Sequence, residues 1–205
     1  MACGLVDMCV EGAGYDLDFF ALHYGAIIES LRRYQTVANQ LVGRSDWSLD
    51  SYKDVSTVLY NDLNLPVPPS AQISSRNKKV DVAKRDLSNR GFSTNFKALH
   101  ALDGQHEIVQ LIRQYRKLSS VKDTLCECHN RMSKKVHTSN ARLTATWKHL
   151  CSETGRLTCD GPNLQCVNKP VEFMDADKDT IRTISLRDLF IAPSSTVLIS
   201  CDYRE

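Results

Sequence analysis

The sequence of 205 residues has no run of roughly eighteen or more consecutive apolar residues, the minimum expected for a membrane-spanning helix. Its first residues, MACGLVDMCVEGAGYD, also lack the basic start and following apolar stretch of a secretory signal. The sequence therefore predicts neither a membrane span nor an export signal. Since 42% of the residues are hydrophobic, enough for a packed core, we expect a soluble globular protein.

The eight cysteines do not form the dense framework of a small disulfide-rich secreted domain. Their scatter through a chain without an export signal predicts reduced thiols in a cytosolic or nuclear protein. The segment CECH at 126–129, with Cys151, Cys159 and Cys166 downstream, offers ligand types that zinc prefers, but the C-x-C-H spacing departs from the usual ligand pairs. We therefore predict free thiols and an exposed His129. No histidine has a recognisable nucleophilic partner, so a hydrolase is unsupported.

The net charge of +2 is small, but the basic residues concentrate in the middle of the chain. Residues 1–66 contain 4 basic and 9 acidic residues, residues 67–150 contain 16 and 6, and residues 151–205 contain 6 and 9. Such a basic belt is typical of a surface that binds a polyanion, most commonly nucleic acid. A solvated helical surface is the alternative.

Apolar residues recur at the three-and-four spacing of a helix face in two long segments. The first segment follows Asp16 and Asp18, either of which could cap the helix, and Gly43 marks its end. A helix of about 25 residues would be roughly 38 Å long. The second segment follows Gly104. We expect these two helices to pack as an antiparallel pair with their apolar stripes at the seam.

The pattern changes between and beyond the long helices. Ser48 or Asp50 could cap a short helix that ends before a group of prolines, and residues 67–91 then form a predicted mobile basic tip. Beyond about residue 132, TISLRDLFIAP predicts a short helix or turn entering a strand, and STVLISCDY predicts a strand that ends in Asp202. The predicted fold class is α+β, mainly helical, with long antiparallel helices and an incomplete sheet.

The stretch ETGRLTCDGPNLQC at 153–166 sets Arg156, Asn163 and Gln165 on a path punctuated by glycine and proline, which predicts an ordered, turn-rich loop. Arginine can fork onto acceptors of a base edge or phosphate, and the amides both donate and accept. The minor-groove acceptors occupy nearly the same places for every base pair, so donors aimed there could test the shape of a pair without reading its sequence. The alternative is that the amides satisfy the local backbone.

The segment ATWKHLCSETGRLTCDGPNLQ, followed by ISLRDLFIAPSSTVLISCDY, resembles the palm of family A DNA polymerases, in which T-G-R-L, P-N-L-Q and a D-Y strand end occur in this order. The segments LVDMCVEGAGYDLDF, STVLYNDLNLP, FSTNFKALHAL and IVQLIRQYRKLSSVKDTL look like the start of the palm, the thumb helices and the thumb tip. The resemblance therefore covers nearly the whole chain. The spacing from Thr146 to T-G-R and the segment TISLRDLF look most like the nu and, next, the theta members of the family.

The resemblance implies a division of the chain and a function. Residues 1–18 would start the palm, residues 19–132 would form the thumb helices with a basic tip at about 67–91, and residues 133–205 would continue the palm. The implied function is that of a DNA-directed DNA polymerase of repair or replication type, a nuclear and monomeric protein that binds primer–template DNA and uses Mg²⁺. Deoxynucleoside triphosphates would be partners only if fingers were present.

The resemblance also implies roles for individual residues. Asp202 matches the first metal-binding aspartate, and the carbonyl of Tyr203 would be a further ligand of the two ions that promote nucleotidyl transfer. Arg156 matches an arginine that probes the minor groove at the primer end, and Arg187 matches an arginine near the active site. The remaining predicted DNA-binding residues are Thr154, Asn163, Gln165, Arg116 and Lys122, together with Lys78 and Lys79 of the basic tip.

The sequence departs from the family at three places. Arg204 stands where serine is usual, Cys166 stands where asparagine is usual, and NARLTA lengthens the stretch before Thr146. The sugar-gating glutamate, the fingers helix and the second metal-binding carboxylate of the family would lie past Glu205, so we expect no polymerisation by this chain alone. The alternatives are a non-catalytic DNA-binding or regulatory isoform and a helical protein-interaction module.

Overall fold

The structure, a computed structural model, describes residues 2–71, 92–133, 142–149, 151–174, 180–192, 195–199 and 201. Helices dominate these residues: α1 (Ala2–Glu11), α2 (Leu17–Val42), α3 (Tyr52–Thr57), α4 (Phe96–Ala101) and α5 (Glu107–Ser133). The strands are β1 (Ala13–Tyr15), β2 (Arg142–Leu143), β3 (Thr146–Lys148), β4 (Thr158–Asp160), β5 (Val171–Met174), β6 (Ile181–Ile184) and β7 (Phe190–Ile191). A π-helix at Val58–Asp62 continues α3, and 3-10 turns lie at Pro69–Ala71, Leu164–Cys166 and Leu186–Leu189. The α+β, mainly helical prediction is confirmed.

The strands form three small antiparallel sheets. One has the order β2-β1-β7, and the other two are the pairs β3-β4 and β5-β6. In the first sheet, Gly14 pairs with Arg142 on one side and with Ile191 on the other. The central strand β1 is therefore held between segments that lie far from it in the sequence.

Strand β1 passes so close to its neighbours that two glycines at this place have no room for a side chain. A Cβ on Gly14 would overlap the carbonyl oxygen of Ile191, and a Cβ on Gly12 would overlap that of Leu143. Gly12 also has a φ of +62°, in the left-handed region that other residues rarely adopt. Glycine at these positions is what permits the three strands to approach.

The chain divides into two compact units. Unit 1 comprises Met1–Ser30 and Leu118–Glu205, and unit 2 comprises Leu31–Lys117. Both long helices contribute to each unit, because the division falls inside α2 and α5. The predicted palm and thumb boundaries at residues 18 and 132 lie instead near the helix ends, and the assignment of palm and thumb stays a prediction.

The ends of α2 follow the caps read from the sequence. The Asp16 carboxylate accepts hydrogen bonds from the backbone N–H of Asp18 at 2.9 Å and of Phe19 at 3.1 Å, and so caps the helix start. At the other end Gly43 has a φ of +76° and its N–H donates to the carbonyl of Asn39 at 2.8 Å. The helix and its capping residues are thus confirmed.

The cap of α3 was predicted wrongly. Ser51, rather than Ser48 or Asp50, accepts a hydrogen bond from the backbone N–H of Asp54 at 3.2 Å. The Ser48 hydroxyl instead accepts from the N–H of Asp50 at 3.2 Å and belongs to the preceding turn. Several polar residues in this stretch could serve as caps, and their types alone do not show which one does.

Within unit 1 the start of α2 runs antiparallel to the end of α5. The ring of Phe20 stacks on that of His129 with centroids 3.8 Å apart, and one turn later the Tyr24 hydroxyl is hydrogen bonded with Cys126. The predicted antiparallel pairing is present in this part of the helices. His129 is half-buried rather than exposed, because Phe20 covers its ring.

The predicted strand within STVLISCDY is not found. In its described part, residues 195–199 and 201, no strand occurs. Val197, Leu198 and Ile199 are 76%, 66% and 79% exposed. A strand needs a paired neighbour to satisfy its backbone, and none among the described residues pairs with this segment.

Candidate nucleic-acid interface

Thr154 and Arg156 lie on the connection between β3 and β4, which pair as an antiparallel hairpin. Gly155 has a φ of +69°, and its N–H donates to the carbonyl of Ser152 at 3.0 Å, so the chain turns at this point. The Ser152 hydroxyl in turn donates to the carbonyl of Arg156 at 3.1 Å. We call residues 151–157 the Arg156 loop. Its backbone is ordered by local hydrogen bonds, and the Thr154 and Arg156 side chains are exposed on it.

Two positive side chains near the hairpin, Lys148 and Arg156, differ in whether they have a partner. The Lys148 ammonium group pairs with the Asp160 carboxylate across the two strands, and this hydrogen bond raises the pKa of Lys148. By contrast, the Arg156 guanidinium makes no hydrogen bond or ion pair with any residue that the structure describes. Arg156 is therefore a positive side chain on a loop with a hydrogen-bonded backbone, and its guanidinium N–H groups are available to an external acceptor.

Asn163 and Gln165 each use one polar group on the local backbone. The Asn163 side-chain oxygen accepts from the backbone N–H of Gln165 at 3.1 Å and so begins the 3-10 turn Leu164–Cys166. The Gln165 side-chain nitrogen donates to the carbonyl of Leu157 at 3.0 Å. This is the local role that the sequence left open for these amides. Both residues are exposed, and their direct contact with DNA stays a prediction.

The segment that carries Asn163 and Gln165 is attached to α5. The Asn168 side-chain nitrogen donates to the Ser120 hydroxyl at 3.1 Å, and the Thr124 hydroxyl lies 3.5 Å from the Asn168 side-chain oxygen. At the other end of the segment the Arg131 guanidinium packs against Gly161, where a Cβ would overlap it. Asn168 and Arg131 could not be predicted from the sequence, because their contacts join residues that no local pattern connects.

Arg116, predicted to face DNA, has its guanidinium engaged inside unit 2. One terminal nitrogen donates to the carbonyl of Thr94 and the other donates to the Thr94 hydroxyl at 2.8 Å. The guanidinium carbon also lies 4.5 Å from the ring centroid of Tyr52. Burial lowers the pKa of Arg116 below its ordinary value. Arg116 thus has a structural role in this unit, and its contact with DNA stays a prediction.

Lys122 and Arg187, the other predicted site residues of the described chain, lie in unit 1. The Lys122 ammonium group is 3.2 Å from the Asp123 carboxylate, and 24% of the Lys122 side chain is exposed. Arg187 is exposed on the 3-10 turn Leu186–Leu189, which leads into β7 as the sequence predicted. Contact of Lys122 with DNA and a place for Arg187 near the active site both stay predictions.

Four predicted site residues, Lys78, Lys79, Asp202 and Tyr203, lie outside the described residues, as does most of the predicted basic tip. Within the described ranges, no group of three or more His, Cys, Asp or Glu side chains could hold a metal ion.

None of the helices in the described ranges combines the length and the apolar composition that a membrane span requires.

The cysteines of the CECH segment have free thiols. Cys128 is buried, and burial raises its pKa to about 12, so that it stays a protonated thiol at neutral pH. Zinc binds the thiolate form, which burial of this kind disfavours.

Comparison with known proteins places these features in one family. Residues 23–205 match the family profile described as DNA polymerase family A. DNA polymerase I of Caldicellulosiruptor bescii is 30% identical over 199 residues, which are 96% of this chain and 20% of that protein. The thermostable DNA polymerase I of Thermus aquaticus is 27% identical over 201 residues, 98% of this chain and 21% of that protein. The chain thus spans about a fifth of the length of these relatives.

A solved structure has the same fold. It is the POL domain of Pol1 from M. smegmatis, in complex with DNA primer-template and dNTP, which superposes with a TM-score of 0.63 at 22% sequence identity. The alignment covers 80% of this chain and 25% of that one. The profile match extends over most of the sequence and includes the T-G-R-L segment of the Arg156 loop and the P-N-L-Q segment of the turn beside it. The chain therefore belongs to DNA polymerase family A.

Proposed function

We propose that this chain is the part of a family A DNA polymerase that holds the primer–template duplex. The main support is the Arg156 loop, whose backbone is held by hydrogen bonds. The exposed Arg156 side chain on this loop has no hydrogen bond or ion pair with the residues that the structure describes. Arginine is suited to minor-groove acceptors because its planar fork donates several hydrogen bonds at once. The M. smegmatis relative, whose structure contains DNA primer-template and dNTP, supports DNA as the partner.

In this proposal Arg156 tests the primer end. A correctly paired end offers its minor-groove acceptors at standard positions whatever its sequence, whereas a mismatch displaces them. The interaction therefore contributes more to binding of a matched end than of a mismatched one. The basic middle of the chain supplies attraction for the phosphate backbone that does not depend on sequence.

The chemistry we propose for the whole protein is DNA-directed DNA polymerisation with Mg²⁺. Asp202 and Tyr203 fit that ion, because carboxylate and backbone carbonyl oxygens are the ligand types it prefers. When bound, Mg²⁺ would lower the pKa of the primer hydroxyl and neutralise charge on the triphosphate. Arg187 would add a positive charge near this site.

The repair type, the nuclear location and the likeness to the nu or theta members are finer parts of the proposal. The likeness is supported by the spacing from Thr146 to the T-G-R segment and by TISLRDLF, and the repair type and nuclear location follow from the likeness. A tagged protein that remains outside the nucleus would argue against the nuclear location.

Changing Arg156 to alanine is expected to reduce the preference for a matched over a mismatched primer end by about fivefold to tenfold, since a hydrogen-bonded pair of this kind is worth on the order of 1 kcal/mol or more. Affinity for the duplex overall should fall less. Fluorescence anisotropy with two labelled duplexes that differ only in the terminal primer base measures both quantities. Lys53→Ala is the control, because it removes the same charge at an exposed site in the acidic part of the chain.

Equal losses of affinity for the two ends in Arg156→Ala would argue against the role of Arg156. Extension of the primer by this chain with Mg²⁺ would contradict the expectation that it is inactive alone, whereas binding without extension is also what the non-catalytic isoform predicts. Absence of DNA binding at low salt would favour the helical interaction module.

Changing Lys78 and Lys79 together to alanine is expected to weaken binding to all duplex sequences alike. The slope of log K against log salt should become less steep by up to roughly 2, on the order of one for each phosphate that a lysine no longer neutralises. Titrations at several salt concentrations measure that slope. An unchanged slope would show that these lysines do not touch the phosphate backbone.

A further inference from the structure

Two consecutive backbone carbonyls at Arg156 and Leu157 each accept a hydrogen bond from a side chain. Ser152 donates to the first at 3.1 Å, and Gln165 donates to the second at 3.0 Å. The Ser152 bond comes from within the loop, whereas the Gln165 bond joins the loop to a different segment. The Ser152 bond holds the peptide group that follows Arg156, and the Gln165 bond holds the next one, so together they restrain the backbone from which the Arg156 side chain leaves.

The segment that contains Gln165 is itself held in place by contacts outside the Arg156 loop. The backbone N–H of Gln165 donates to the Asn163 side chain, and the turn that contains both residues lies between Gly161 and Asn168. Gly161 packs on Arg131, and Asn168 is hydrogen bonded with Ser120 of α5. The donor that holds Leu157 is thus anchored through its segment to a long helix.

Gln165 could contact DNA directly or hold the Arg156 loop, and the present hydrogen bond of its side-chain amide favours the second role. Its side-chain nitrogen is already occupied by the Leu157 carbonyl, so a DNA contact through that nitrogen would require the amide to release or share this bond. The hydrogen bond from Gln165 to the Leu157 carbonyl is exposed to solvent, and Gln165 gives this carbonyl a fixed protein partner.

We propose that Gln165 is a positioning residue, which holds the Arg156 loop through the Leu157 carbonyl and so directs Arg156 at the primer end. This inference rests on the proposed function, because it assumes that Arg156 probes DNA. Gln165 then contributes to the recognition of a matched end only as long as Arg156 is present.

A double-mutant cycle with the full chain tests this dependence. Gln165→Met removes the donor while keeping the length and neutrality of the side chain. We expect it to lower the matched-to-mismatched affinity ratio about threefold to fivefold in the wild-type background, the size of one ordinary hydrogen bond, and to leave the ratio unchanged in Arg156→Ala. The ratio cancels any change in general attraction to DNA. Gln40→Met is the control, since it makes the same substitution at an exposed position of α2.

Hydrogen exchange of the free variants provides a readout independent of DNA. The backbone amides of the Arg156 loop should exchange faster in Gln165→Met than in the wild type or in Gln40→Met, because the loop no longer has its connection to the neighbouring segment. Unchanged exchange would overturn the proposal.

The cycle separates the failure of this inference from that of the proposed function. Equal effects of Gln165→Met with and without Arg156 would mean a direct contact with DNA and would overturn the positioning role, as would no effect in either background. If Arg156→Ala itself leaves the ratio unchanged, the proposed function fails and the inference fails with it.

Discussion

Replacing Gly14 by alanine is expected to lower the free energy of unfolding of unit 1 by about 3 kcal/mol, at the upper end of the cost of overpacking. The new Cβ would overlap the carbonyl oxygen of Ile191 on the neighbouring strand. A backbone carbonyl cannot rotate away as a flexible side chain can, so β1 and β7 must separate and lose their pairing. Urea unfolding, with hydrogen exchange at β1 as a local probe, measures the destabilisation.

Gly25→Ala is the matched control for this substitution. Gly25 lies inside α2, where a new Cβ would have no atom within 4 Å. Because alanine is a better helix former than glycine, this variant should be more stable by about 1 kcal/mol. Opposite signs for the same chemical change would identify the close approach of the strands as the cause. A Gly14→Ala variant as stable as the wild type would contradict that approach.

Replacing Arg116 by alanine is expected to destabilise unit 2 by about 3 kcal/mol, because it removes charged hydrogen bonds and a cation that packs on an aromatic ring. The guanidinium donates twice to Thr94 and covers the ring of Tyr52, and no smaller side chain can do both. Thr94 is itself buried, so water replaces the missing donors poorly. Denaturant unfolding compares the variants.

Lys117→Ala removes the same charge from the adjacent, exposed position of α5 and should change stability by less than about 0.5 kcal/mol. Arg116→Lys keeps the charge but not the fork, and should recover only part of the stability. If Arg116→Ala were as stable as Lys117→Ala, the structural role of Arg116 would be wrong. DNA affinity measured on the folded variants then tests whether the residue also contacts DNA.

The parts of the fold that the sequence predicted correctly are those fixed by local chemistry. Helix α2 begins at an aspartate that can cap it and ends at a glycine that can adopt a left-handed conformation, and both signals act within one helical turn. The cap of α3 was misplaced, because Ser48, Asp50 and Ser51 lie close together and all have side-chain oxygens that can cap a helix. Helix α1 was not predicted, because a short helix of ten residues gives a weak periodic signal.

In the candidate site, too, the sequence predicted the features that depend on local residues and not those that depend on tertiary contacts. The turn residues around Arg156 predicted an ordered backbone that presents its side chain, and the structure has an exposed Arg156 on a loop held by local hydrogen bonds. The bond from Gln165 to Leu157 and the attachment of Asn168 to α5 could not be predicted, because residues eight and 48 positions apart meet only after the chain has folded. The roles of these residues therefore depend on tertiary contacts that no spacing in the sequence encodes.

The pairing of β1 has a consequence for the order in which the protein can fold during synthesis. The neighbours of this strand are residues 142–143 and 190–191, so the ribosome must add more than a hundred residues after β1 before either side of it can be paired. Unit 2, residues 31–117, is continuous in sequence and contains the local helical contacts that form rapidly. We therefore expect unit 2 to fold co-translationally while the first thirty residues wait for partners made more than a hundred residues later.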